Sequence, residues 1–210
     1  MRVSKMTEGN NHAIFPKKWP PQCCVPAFMH SSLVQLKVEV PDANILPSKL
    51  GVLVGPKDEN PFHLEVVSDS AQQGVTQKNA EILINKFFFD RDLDLAFRHV
   101  PFQEISLGLY DEVLKAAMLK EISVGVGLDF SKLTGDDRQP VKHVLRVKCL
   151  KGSRIKLFDD SREHSPPEFE IEWTVFEAAV LAIHDGYWLI GKPADLELPL
   201  TLPWHQGSIA

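Results

Sequence analysis

The stretch Gln22-Cys23-Cys24-Val25-Pro26-Ala27 leads into an apolar run from Phe28 to Leu36 and sets the architecture of the whole chain. Phe28, Leu33, Leu36 and Val40 recur at mostly helical spacing, and Pro41 ends the pattern, so the spacing predicts a helix that begins at the cysteines. Pro26 falls in its first turn, where a missing N–H costs nothing. Cys24 therefore stands at a helix start. Unsatisfied N–H groups and the positive end of the helix macrodipole favour a thiolate there.

Outward from this segment the pattern stays helical and then changes. Residues 43 to 75 read as loops around the short apolar runs Leu50 to Val54 and His63 to Val67. Ala80, Leu83, Ile84 and Phe87 predict a helix from Thr76 to Phe88, and Leu109, Val113, Ala116 and Ala117 predict another from Ile105 to Leu119. The stretch from Asp90 to Gln103 has no single period. From Ile122 to Val126 the residues alternate and are β-branched, as in a strand. A linker from Ser131 to Pro140 carries the turn signal Gly135-Asp136-Asp137. Strands Val141 to Leu150 and Arg154 to Phe158 flank the turn Lys151-Gly152-Ser153 and form a hairpin. Trp173 to His184 reads as a helix with Val175, Ala178, Ala179 and Ile183 inward, and Tyr187 to Ile190 as a last strand. Helices first and an antiparallel sheet second is an α+β layout. The expected organisation is a polar lead-in (1–21), one domain (22–195) and a Pro-rich tail (196–210).

Composition narrows the function classes. The 210 residues, 44% of them hydrophobic, suffice for one real core. A net charge of -5 and a pI near 5.9 argue against nucleic acid or an anionic membrane as partner. No apolar run approaches the roughly 20 residues needed to span a bilayer, and Met1 to Lys18 has no apolar core of a secretory signal. Three cysteines, two of them adjacent, do not suit a disulfide framework, so a reducing, cytoplasmic setting is expected. The eight histidines form neither an HExxH pair nor a Cys-x-x-Cys partner set, and Gly125-Val126-Gly127 lacks the rest of a phosphate loop. Neither a metal nor a cofactor is called for.

What remains is a set of three side chains at element ends. Cys24 opens a helix, His143 heads Val144-Leu145-Arg146-Val147, and Asp159 or Asp160 follows Arg154-Ile155-Lys156-Leu157-Phe158. A thiol nucleophile needs a lowered pKa, an imidazole to hold and deliver the proton, and a polar group to orient that imidazole. In a hairpin the start of one strand lies beside the end of the next, so His143 and Asp159 should sit roughly opposite, at about 5 Å. Asp159 is preferred over Asp160 because it directly follows the apolar strand, and on that choice Asp160→Ala should be nearly neutral. Cys149, mid-strand, reads as packing; His30 should lie on a different helix face from the thiol.

Cys24-Val25-Pro26-Ala27 resembles the Cys-Gly-Pro-Ala segment of the bacteriocin-leader-processing (double-glycine) peptidases, within the papain-like superfamily. The stretch from Tyr110 to Gly125, the strand at His143 and the strand ending at Asp159 are similar to that family's corresponding segments, from Gln22 to Phe158 overall. The resemblance implies a papain-like fold, with Cys24 as nucleophile, His143 as base and Asp159 as orienting carboxylate. It implies a peptide, an isopeptide or a small amide or acyl compound as substrate. Two positions depart from the pattern. Val25 replaces the family's Gly, and Lys18 stands where papain-like enzymes place an oxyanion-hole Gln, the nearest Gln being Gln22. Thiol-dependent acyl transfer, and a papain-like peptide-binding module without turnover, are the other readings; the oligomeric state stays open.

Overall fold

The computed structural model describes residues 19, 23–39, 46–50, 77–101, 114–115, 117–119, 122–135, 141–161 and 166–196. In chain order these form α1 (Cys24–Gln35), α2 (Leu46–Lys49), α3 (Gln77–Asp90), β1 (Ala96–Pro101), β2 (Ser123–Asp129), α4 (Phe130–Thr134), β3 (Lys142–Lys151), β4 (Arg154–Phe158), β5 (Glu168–Glu172), α5 (Trp173–Ile183), β6 (Gly186–Gly191) and α6 (Pro193–Leu196). Six strands make one sheet in the order β1-β6-β2-β3-β4-β5, with every pairing antiparallel. The fold is α+β.

Alternation along the strands sends side chains to two cores. Val124, Val126, Leu128, Leu145 and Leu157 pack with Phe176, Ala179 and Val180 of α5 on one face. Phe97, Val144, Trp188 and Ile190 pack with Phe28, Met29 and Leu33 of α1 and with Ile84 and Phe88 of α3 on the other. Helices thus cover both faces, and every residue of the central strands β2 and β6 is buried. The α5 stripe differs from the expected one. Val175 is exposed and Phe176 buried, because the aromatic ring takes the inward place and rotates the helix by about one position.

Several boundaries moved for local reasons. The first helix ends at Gln35, well before Pro41, with Lys37 in the left-handed region at φ 58. The linker after β2 begins as the short helix α4. The Asp129 side chain caps it at Ser131 N, and Gly135 closes it at φ 70. The ambiguous Asp90–Gln103 stretch contains β1, an edge strand, and Glu168–Glu172 forms the other edge, β5. The strand at 187–190 lies not at an edge but between β1 and β2. The predicted loops at 51–75 and most of the predicted 105–119 helix fall outside the described residues; Leu114 and Lys115 and residues 117–119 are helical.

The α1 helix lies close against β2 because residue 125 is glycine. A Cβ there would stand 2.9 Å from the Phe28 ring. Ser32 Oγ, which donates to the Phe28 carbonyl at 2.7 Å, is also 2.7 Å from Ser123 Oγ on β2. Gly125→Ala should therefore push Phe28 and α1 off the sheet at a cost of about 1–3 kcal/mol. Urea unfolding of the variant against the parent checks this; an unchanged midpoint would mean that Phe28 gives way freely.

Candidate active site

The three preferred side chains meet at one end of α1. Asp159 Oδ1 lies 3.0 Å from His143 Nε2, and the Cys24 thiol is within hydrogen-bonding reach of the same ring. With Nε2 turned to the carboxylate, Nδ1 is the nitrogen left for sulfur. His143 and Asp159 are buried, at 3% and 0% side-chain exposure, whereas Cys24 is only half-buried. Solvent therefore reaches the array at the thiol.

Each residue is held by a different local device. Cys23 is the N-cap of α1 and makes no side-chain cap hydrogen bond, and the first turn holds no acidic residue. The helix dipole at Cys24 is thus not neutralised by a neighbour. Phe130 N donates to Val141 O at 2.8 Å and Asp129 Oδ1 accepts from Val141 N at 2.9 Å, which fixes the start of β3 just before His143. The Phe130 ring packs on the His143 ring with centroids 4.9 Å apart. Asp159 lies beyond the end of β4, and the ladder pairs Phe158 with Arg146, so the two residues are not the cross-strand pair that the hairpin suggested. The carboxylate meets His143 because the chain leaves the ladder at that point: Asp159 N donates to Pro167 O at 2.8 Å.

Sequence reasoning missed Ser161. Its backbone N and its hydroxyl both donate to Asp159 Oδ1, at 3.1 and 2.7 Å, and its oxygen lies 3.4 Å from His143 Nε2. The only trace in the sequence is a serine two residues after an aspartate, a pattern of ordinary turns. Trp19 N donates to Ser161 O at 3.2 Å, so the segment before the thiol is tied to the carboxylate loop.

The adjacent aspartates do different work. Asp160 is buried and forms an ion pair with Arg146 (Nη2 to Oδ1 2.9 Å), which also donates to Gln35 Oε1 of α1 at 3.2 Å, and Asp160 bonds Ser31 of α1. Burial pushes its carboxyl up to about 6, against the pull of Arg146 and Ser31. Asp160→Ala, expected from the sequence to be nearly neutral for activity, should therefore cost stability. It leaves Arg146 buried without its partner.

Gln22 lies outside the described residues, so the oxyanion assignment made for it has no geometry here. Cys149 is half-buried at an irregularity of β3, and all three cysteines are free thiols. His30 is buried edge-on to Trp19. Among the described residues no three His, Cys, Asp or Glu side chains cluster as metal ligands, and no helix is long and apolar enough to cross a membrane.

The electrostatics favour a charged imidazole. Burial opposes protonation of His143, but hydrogen bonds to Asp159 and Cys24, and the negative charge on both, outweigh it and push the ring up to about 10. Since the folded ring holds its proton more tightly than a free histidine, its contribution to stability is full below about 6.5 and is lost as pH rises through about 10. The difference in unfolding free energy between the parent and His143→Gln should accordingly shrink across that window. A difference that grew with pH would contradict the coupling. Asp160→Ala should cost about 3–5 kcal/mol in urea unfolding near neutral pH, as expected when one member of a buried ion pair is removed.

No protein-family model matches this chain and no curated protein is similar to it, so the chemistry of the site is carried by its geometry alone.

Proposed function

We propose that the chain is a cysteine-nucleophile hydrolase of papain-like architecture, acting on a peptide, isopeptide or other amide bond. The observation that carries this is the half-exposed Cys24 at an uncapped helix start, electrostatically coupled to a buried imidazole that lies 3.0 Å from a buried carboxylate. In the reaction Cys24 Sγ attacks the carbonyl carbon, a C–S bond forms and the carbonyl oxygen becomes an oxyanion. In this reading the N–H groups of Cys24 and Val25 receive that charge, since Pro26 has none and Ala27 N donates to Cys23 O at 2.9 Å. The intermediate collapses, the C–N bond breaks and the leaving amine takes the proton from His143. Water then attacks the thioester with His143 as base, releasing the acid and restoring the thiol. A reducing, cytoplasmic setting would keep Cys24 in the required state.

Val25 bears on the reading without turnover. Its side chain is 3% exposed and packs in the α1 core, so this departure from the family's Gly is absorbed by packing rather than by the solvent side of the thiol. The hydrolase reading is favoured for that reason.

Iodoacetamide near neutral pH should modify Cys24 at least about tenfold faster than Cys149, with the advantage lost in His143→Gln. Cys149 serves as the internal reference, since both thiols are half-buried. A panel of peptide, isopeptide and small amide substrates should turn over with the parent and not with Cys24→Ala. Equal labelling of the two thiols, together with no turnover, would defeat the proposal. Added amine acceptors that divert product from the acid would move it to acyl transfer. On a substrate so found, Asp159→Asn should lose less than about tenfold in kcat, because an amide still orients the ring. Asp159→Ala should lose about a hundredfold or more.

A further inference from the structure

The sheet ends in two edge strands, β1 and β5, and the two are finished differently. At β1 the side chain of Asn85 on α3 stands where a further strand would lie. Its Nδ2 donates to Phe97 O at 3.0 Å and its Oδ1 accepts from Phe97 N at 2.7 Å, so an amide occupies the middle of that edge. Among the described residues only the Arg154 guanidinium, 3.2 Å from Glu170 O, touches the outer main chain of β5.

The groups that β5 turns outward follow from its ladder. Asp159 N donates to Pro167 O and Trp173 N to Ser153 O, at 2.8 and 2.7 Å. Both pairs continue the register that joins Arg154 to Glu172 and Phe158 to Glu168. Bonded and unbonded pairs alternate along an antiparallel ladder, so Phe169 and Ile171 bond β4 while Glu168, Glu170 and Glu172 direct N–H and C=O away from it. The side chains form two rows. The three glutamates are exposed on one face. Phe169 and Ile171 are half-buried on the other, packed against the core beneath α5 where the sheet stops.

β4 shows what β5 accepts as a neighbour. It sets Arg154 and Lys156 opposite Glu172 and Glu170, and Ile155 and Leu157 opposite Ile171 and Phe169. Two copies of β5 do not suit each other: antiparallel pairing about Glu170 would place Glu168 opposite Glu172, and like charges directly opposite are destabilising. We propose that the outer edge of β5 binds an extended segment of a basic partner protein, in which Lys or Arg alternates with apolar residues, as an added antiparallel strand. Main-chain hydrogen bonds to Glu168, Glu170 and Glu172 give the affinity. The basic side chains meet the acidic row, whose ion pairs with β4 leave Glu168 and Glu172 42% and 54% exposed. The apolar ones extend the cover over Phe169 and Ile171.

The probe is a capped peptide spanning Ser153 to Phe158, added to the full chain while amide exchange with solvent is followed by NMR. At about ten times its dissociation constant the peptide should slow exchange at Glu168, Glu170 and Glu172 about tenfold. Phe169 and Ile171, already bonded to β4, should not change. Glu170→Pro removes one outward N–H, which an edge strand tolerates, and should abolish the slowing while Phe169 and Ile171 stay protected. Glu170→Gln keeps the main chain intact and should weaken binding about two- to fivefold, the worth of one cross-strand charge pair. The same peptide carrying Arg154→Glu and Lys156→Glu should bind at least about tenfold more weakly. No slowing at about 1 mM peptide, slowing at Phe169 and Ile171 instead, or equal binding of the acidic peptide overturns the proposal. Binding undiminished in both Glu170 variants overturns it as well. Slowing of the same three amides as the chain itself is concentrated, without peptide, marks a second copy as the occupant and also overturns it.

Discussion

The buried pair of Arg146 and Asp160 joins the three segments on which everything else in the site depends. Arg146 belongs to the strand of His143, Asp160 follows Asp159, and both reach α1, the helix of Cys24, through Gln35 and Ser31. Charges removed from water interact strongly, but they are stabilising only when geometry and further hydrogen bonds offset their desolvation. Here the extra partners come from the helix itself. The pair specifies which part of α1 meets which part of the sheet, and the thiol, imidazole and carboxylate inherit that alignment.

Burial of the imidazole and carboxylate makes the array sensitive to such alignment. In a low-dielectric setting each hydrogen bond counts for more, and each unmet one costs more. Asp159 Oδ1 accepts from the ring and from two donors of Ser161, so its position is set from two sides. The thiol, by contrast, is left half-exposed at a helix start with no side-chain cap. The imidazole and carboxylate lie inside and the thiol lies at the boundary with water, the arrangement that the proposed nucleophile requires.

Glycine has two separate roles on β2, two residues apart. Gly125 admits the Phe28 ring and so brings α1 down onto the sheet, while Gly127 admits a carboxylate that links β1, β6 and β3. Both are cases where a missing Cβ lets another group come close, and neither glycine has a left-handed backbone. The sheet is therefore shaped for α1 and for Asp185 by the same alternation of side chains that fills the opposite face with Val124, Val126 and Leu128.

Local sequence determined the helix at Cys24, the hairpin of β3 and β4 and the α+β layout, because apolar period, Pro26 and Gly152 act over a few residues. It also brought Cys24, His143 and Asp159 forward as candidates, since each stands at an element end. Tertiary structure alone decided how the two aspartates divide. Adjacent residues point apart, and which one meets an imidazole and which an arginine depends on where the chain leaves the ladder. The place of β6 between β1 and β2, the rotation of α5 and the grip of Asp185 on Lys142 were likewise not legible in the sequence. They join residues far apart in the chain, and no local preference encodes such contacts.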